Sequence, residues 1–216
     1  MGITAKENEL FNRLLSANRN IVQDGVADEE EYLAAKYKIV YILKEVNGGS
    51  GWDLRAFIRD GGRAQTWDNI ARWTEAILNL QQDRPWSYWE SGNEKRRQRM
   101  LKKICAVNMK KTSGGSSAHP DEIYQAAIEN RDILQKQMAL YHPDLIICCG
   151  TEWAFMEACC KEKSVNWEMT SRGIWYFMDR GPAVISYVHP QARVRGCLLH
   201  YALIDAVKEI LSKNIL

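Results

Sequence analysis

No run in this chain approaches the roughly 20 apolar residues needed to cross a bilayer, and no apolar segment follows a basic start, so neither a membrane span nor a secretory leader is expected. None of the six cysteines stands in a Cys-x-x-Cys arrangement, which removes the usual zinc and thiol-redox signatures. Low-complexity stretches and internal repeats are missing as well, so disorder is not expected. What is present is 216 residues with 46% hydrophobic content, enough to bury one sizeable core. The expectation is one domain over residues 1–216, with residues 1–36 as a helical segment packed on it, monomeric and in a reducing cytoplasm. The adjacent pairs Cys148-Cys149 and Cys159-Cys160 read as small apolar residues on a buried strand and a helix.

The net charge is only +2, but its distribution is uneven. From Lys95 to Lys111 the chain carries Lys95, Arg96, Arg97, Arg99, Lys102, Lys103, Lys110 and Lys111 with no acidic residue, while Asp28 to Glu31 is acidic. A surface facing phosphates would have this footprint, and so would a solvated helix face; charge alone leaves both open.

Periodicity organises the rest. Thr4 to Asn18 reads as a helix, with Leu10, Phe11, Leu14 and Leu15 at helical spacing, and Asp28 can cap a short helix through Tyr37. Lys38 to Leu43 reads as a strand running into Lys44-Glu45-Val46-Asn47-Gly48-Gly49 and then Ser50-Gly51-Trp52-Asp53. Thr66 to Leu80 is an amphipathic helix with Trp67, Ile70, Trp73, Ile77 and Leu80 on one face. Ile104 to Val107 is a second strand, ending in Asn108; the Ser113 to Ser117 loop after it is expected to order only against a partner. His119-Pro120 opens a helix to Tyr141. Pro143 to Cys149 is a third apolar run, with Thr151 capping a helix through Cys160. Ile174 to Met178 forms a hairpin-like excursion, Ala183 to Val188 ends in His189-Pro190-Gln191, and Gly196 to Leu211 closes the chain as a helix. Four apolar runs alternating with helices predict an α/β fold, a three-layer α/β/α arrangement around a central, mainly parallel four-stranded sheet. Open sheets of this kind bind ligands at the carboxyl ends of their strands. Asn47, Asn108 and His189 would all stand there.

These segments, in this order, resemble the uracil-DNA glycosylase superfamily from about Tyr37 to Leu211. Lys44-Glu45-Val46-Asn47-Gly48-Gly49 is similar to the Gly-Ile-Asn-Pro-Gly motif of the mismatch-specific branch. Val107-Asn108-Met109-Lys110-Lys111 with Pro120-Asp121-Glu122-Ile123 resembles the second strand and following helix of the thermostable branch. Pro143 to Gly150 resembles the Pro-x-hydrophobic-Gly strand, and Tyr187-Val188-His189-Pro190-Gln191 the His-Pro-Ser motif, with Ala192-Arg193-Val194-Arg195 where the family places its DNA-inserting loop. There are departures: Glu45 stands for a glycine, Gly48 for a proline and Gln191 for a serine, and the cysteines that hold an iron–sulfur cluster in the thermostable branch are absent. No cluster, metal or organic cofactor is therefore expected.

The resemblance implies a monofunctional DNA glycosylase that hydrolyses the N-glycosidic bond of a flipped nucleotide and leaves an abasic site. Asn47 would position the water, with Glu45 or Asp53 as nearby carboxylates; its alternative is a left-handed turn residue before glycine. Asn108 would read the Watson–Crick edge with an amide that both donates and accepts, or else cap the strand end. His189 would hydrogen-bond the departing base, or else merely start a turn. Trp52 or Trp67 would stack on the extruded base. Arg193 and Arg195 flank Val194 as cations around an apolar wedge, with Lys110, Lys111, Arg172 and Arg180 as further phosphate contacts. No lysine matches a Schiff-base motif, although Lys44 and Lys110 lie near.

Gly49 bears on the substrate. In the uracil-specific branch a tyrosine near this place closes the pocket around carbon 5 of the pyrimidine. Gly48-Gly49-Ser50-Gly51 offers no such wall, and removing bulk relaxes rejection. The expected target is a 5-substituted pyrimidine, with Glu45, Ser50 or Asp53 facing the substituent. Antiphage members of the superfamily that remove glucosylated hydroxymethylcytosine from phage DNA fit this description. A uracil or mismatch repair glycosylase is the alternative enzyme, and a non-catalytic DNA- or nucleotide-binding module on the same fold is the alternative class.

Overall fold

The computed structural model describes residues 1–49, 51–115, 117–161, 164–178 and 181–213. Ser50 and Arg180, both named above, lie outside the described residues, as does Ser116 of the serine-glycine loop. Seven strands make one sheet among the described residues: β1 (Gly25–Val26), β2 (Ile39–Leu43), β3 (Ile104–Asn108), β4 (Leu145–Cys149), β5 (Glu168–Met169), β6 (Trp175–Met178) and β7 (Ala183–Tyr187), in the order β1-β3-β2-β4-β7-β6-β5. The expected four-stranded parallel sheet is thus only its centre. β3, β2, β4 and β7 run parallel, in register from Ile39↔Ile104 to Leu43↔Asn108 and from Leu145↔Ala183 to Cys149↔Tyr187. Antiparallel β1 extends one side of that centre, and antiparallel β6 and then β5 extend the other, making the sheet mixed. Two-residue strands such as β1 and β5 carry too little periodicity to be read from sequence.

The helices are α1 (Ile3–Ala17), α2 (Glu29–Ala34), α3 (Leu54–Arg59), α4 (Ala64–Leu78), α5 (Trp86–Glu90), α6 (Asn93–Met100), α7 (Pro120–Glu129), α8 (Arg131–Tyr141), α9 (Glu152–Phe155) and α10 (Gly196–Lys213). The parallel strands are buried on both faces, which is why they read as unbroken apolar runs. Alternate residues divide between two cores. Ile39, Tyr41 and Leu43 pack with Ile70, Trp73 and Ile77 of α4 and Leu203 and Val207 of α10. Val40 and Ile42 pack with Ile123 of α7, Leu134 of α8 and Ala154 of α9. Cys148 and Cys149 are fully buried in β4, where burial pushes their thiols up from the ordinary range.

Caps set the ends. Asp28 accepts the Glu31 N–H at 3.1 Å to start α2. The helix expected from His119 to Tyr141 is two helices, because Asn130 closes α7 and its Nδ2 donates to the carbonyls of Ala126 and Met109 at 2.8 and 3.2 Å. Thr151 donates its hydroxyl to the Ile42 carbonyl at 2.9 Å rather than capping the helix after it, and that helix widens into a π-turn at Met156–Cys160.

The order β3-β2-β4 marks a switch point. After β2 the chain crosses to β3 on one side, and after β3 it returns to β4 on the other, which opens a crevice at the carboxyl end of β2.

Candidate functional site

That crevice is a cleft of about 1010 Å3, at the large end of small-molecule sites. Its floor is the ends of three central strands: Leu43 to Gly49 after β2, Asn108 closing β3, and His189 with Gln191 and Ala192 after β7. Trp52, Leu54 and Phe57 form one wall, Arg63, Gln65, Thr66 and Trp67 at the start of α4 another, and Gly115, Ser117 and Ala118 the rim.

Asn108 is the most telling residue in it. It is 2% exposed, and its backbone N–H donates to Asp24 Oδ2 at 2.7 Å. Neither Oδ1 nor Nδ2 of its side chain has a hydrogen-bond partner. A buried polar group without a partner costs about 1–3 kcal/mol, and native proteins rarely leave both ends of an amide unpaired. Asn108 therefore lines the cleft with an amide whose NH2 and carbonyl are both unpaired.

Asn47 lies exposed in the cleft. Its loop is fixed by pairing with Gly114: Asn47 bridges Gly114, the Gly114 N–H donates to the Val46 carbonyl at 2.9 Å, and the Gly48 N–H donates to the Gly114 carbonyl at 3.2 Å. The serine-glycine segment expected to order only against a partner is thus tied down within the chain at Gly114. Glu45 is 5% exposed in its side chain and 2.9 Å from the Lys110 ammonium. A Cβ at position 114 would overlap its carboxylate, so a side chain there would have to displace Glu45.

His189 accepts the Gln191 N–H on Nδ1 at 3.1 Å. Burial, and then the charge of Lys44, lower its pKa from the ordinary value, so it is neutral near pH 7. With Nδ1 an acceptor, the neutral ring carries its proton on Nε2, which makes Nε2 a donor. The loop is pinned to α4 by Gln191 Nε2 donating to Thr66 Oγ1 and Asn69 Nδ2 donating to the Pro190 carbonyl, both at 2.7 Å.

Gly48 and Gly49 have φ of +71° and +73°, a region open chiefly to glycine. A Cβ on Gly48 would meet nothing within 4 Å, whereas one on Gly49 would come within 3.1 Å of Trp52 Nε1. Trp52 stands edge-on to Phe57 with centroids 5.4 Å apart. Trp67 reaches the cleft from the core and is 5% exposed, so the half-exposed Trp52 offers the more accessible face.

Other expected residues lie elsewhere. Asp53 does not line the cleft: it caps α3 by accepting the Arg55 N–H at 2.8 Å and pairs with the Arg55 guanidinium at 2.8 Å. Lys111 is not a phosphate contact. It is 1% exposed, and its ammonium donates to both oxygens of Asp24 at 2.9 Å and to Gln137 at 2.7 Å. Lys110 is shared between Glu45 and Glu122. Much of the basic stretch is internally neutralised: Arg96 and Arg99 pair with Glu75, Arg97 with Asp68, and Lys103 with Glu31. These acids are distant in sequence, so the charge run does not amount to a basic face. Arg172 lies 3.7 Å from Asp205. Arg193 and Arg195 are exposed, and Val194 between them is 50% exposed beside Leu198 at 60%.

Sequence reasoning missed Phe57, Arg63, Gln65 and Thr66. For Arg63, Gln65 and Thr66 the available signal was their position at the start of the amphipathic helix α4, because helices following parallel strands begin at the ligand-binding edge, whereas Phe57 lies in the short α3. Among the described residues no group of three His, Cys, Asp or Glu side chains is placed to hold a metal, and no helix is long and apolar enough to cross a membrane. No protein-family model matches the sequence, and no curated protein matches it.

Proposed function

We propose that this chain is a DNA glycosylase of the uracil-DNA glycosylase kind, hydrolysing the N-glycosidic bond of an extruded 5-substituted pyrimidine. The observation that carries the reading is Asn108: a buried amide, unpartnered at both ends and lining the cleft between the Asn47 and His189 loops. A base edge in the cleft supplies both missing partners, and extrusion is what brings such an edge out of a duplex.

In this reading Asn47 orients a water by hydrogen bonds. The water oxygen bonds to C1′ as the C1′–N1 bond breaks, its proton passes to solvent, and the electron pair leaves with the base. The Nε2–H of His189 stabilises the developing negative charge on the base carbonyl. Trp52 supplies the stacking face, and Arg193 and Arg195 hold phosphates while Val194 meets the unstacked step. The open space at Gly48 and a cleft much larger than one base favour a bulky carbon-5 substituent, glucosylated hydroxymethylcytosine of phage DNA being the leading candidate.

The test is mass-spectrometric detection of free bases after incubating the protein with uracil-containing DNA, G·T mismatches and phage DNA bearing glucosylated hydroxymethylcytosine, with Asn47→Ala alongside. Release of the glucosylated base, lost in the variant, is the expected result. Release of uracil alone would move the protein to repair, and no release from any substrate would leave a binding module.

A further inference from the structure

Lys44 differs from the other lysines around the cleft. Lys110 is held by Glu45 and Glu122, and Lys111 by Asp24. Lys44 lines the cleft and has no carboxylate within ion-pair distance among the described residues. Its carbonyl accepts the Lys110 N–H at 3.0 Å, which fixes the root of the side chain at the end of β2. The stem then passes Gly150, whose φ is +67°. A Cβ at Gly150 would lie 3.7 Å from Lys44 Cε and 3.8 Å from the His189 backbone nitrogen, so the two residues converge over one glycine.

We infer that Lys44 is a catalytic residue whose ammonium faces the departing base beside His189 and balances the negative charge that the base carries away. The inference rests on the glycosylase reading. As C1′–N1 breaks, the electron pair moves onto the base; Lys44 keeps its proton throughout, and the base is protonated from solvent. A cation close to the departing base stabilises that charge more strongly than a neutral donor. It also disfavours a second cation next to it, which accords with a neutral imidazole that donates from Nε2. The other charged groups around His189 are Glu45, engaged by Lys110; Arg63 at the start of α4; Arg72, which reaches the loop through Asn69 and Pro190; and Arg193 in the exposed turn after it.

The experiment compares wild type, Lys44→Met and Lys44→Arg by two readouts. One is an NMR titration of the His189 imidazole without DNA, and the other is single-turnover release of the base that the wild type excises, followed against pH. Lys44→Met should raise the His189 titration toward its ordinary value, slow release by about tenfold or more and move the acid limb of the rate profile upward. Lys44→Arg should keep both near wild type. An unmoved titration in Lys44→Met would overturn the placement of Lys44 beside His189, and wild-type release with a moved titration would overturn its catalytic role. Wild-type protein that releases no base would overturn the glycosylase reading and the catalytic role with it; a moved titration would then retain only the Lys44–His189 contact.

Discussion

Two groups of buried polar residues meet at Asn108, and they are built on opposite terms. Behind the strand end lies a closed network: Asp24 accepts from Lys111, Gln137 and the Asn108 N–H, Gln137 donates to Tyr141, and Glu7 binds Arg55 and the Val26 N–H. In front lies the cleft, where the Asn108 amide has no partner and Lys44 has no counter-ion among the described residues. Consecutive lysines divide between them, since Lys111 is sealed into the network while Lys110 reaches the Glu45 carboxylate at the cleft. The difference separates architecture from recognition. Satisfied polar groups fix the N-terminal segment and the β3 end in place, and in the proposed function the unpaired Asn108 amide serves the ligand.

The largest effect should come from breaking the closed side. Lys111→Met leaves the Asp24 carboxylate buried without its cation, and stability should fall by about 3–5 kcal/mol in a denaturant titration. A loss below about 1 kcal/mol would mean that the network is wetter and looser than its hydrogen bonds indicate.

His200 sharpens the rule, because it is buried and its Nδ1 lacks a partner, yet it lies outside the cleft among Trp86, Trp89 and Tyr201. Lack of a partner alone therefore does not mark a ligand site. Burial, with Arg72 and Arg96 nearby, lowers the His200 pKa from 6.5 to about 4. A histidine depressed in the folded state contributes stability that is fully present above pH 6.5 and is lost as pH falls through 6.5 to about 4, in total roughly 3 kcal/mol. His200→Phe should flatten that stretch of the stability–pH curve, and an unchanged curve would place the acid sensitivity elsewhere.

The smallest effect concerns DNA affinity at the exposed turn after His189. Arg193→Ala and Arg195→Ala should each lower the slope of log affinity against log salt by about 1, with stability unchanged. Charge reversal at Lys111 offers no comparable test, because that side chain never reaches the surface.

The strand ends were legible in the sequence because both their signals are local: apolar runs buried on two faces, each stopping at a polar residue or a glycine. That put Asn47, Asn108 and His189 at one edge. The closed network was not legible, since Glu7, Asp24, Arg55, Lys111 and Gln137 come from five separate segments and nothing local to any of them names its partners. The same blindness left open whether the stretch from Lys95 to Lys111 faces phosphates or solvent, when Glu75, Asp68, Glu31 and Asp24 neutralise much of it across the fold. Asp53 looked available for chemistry because its capping role depends on where α3 begins, a boundary that periodicity over six residues does not define.

The most direct test of the account is Asn108→Ala, measured for both stability and release of the base excised by the wild type. Release should fall about ten- to a hundredfold while the denaturation midpoint stays near wild type, because the amide makes no intramolecular hydrogen bond and the backbone N–H to Asp24 is kept. Undiminished release, or a loss of stability as large as that of Lys111→Met, would contradict it and place Asn108 with the architecture rather than with the ligand.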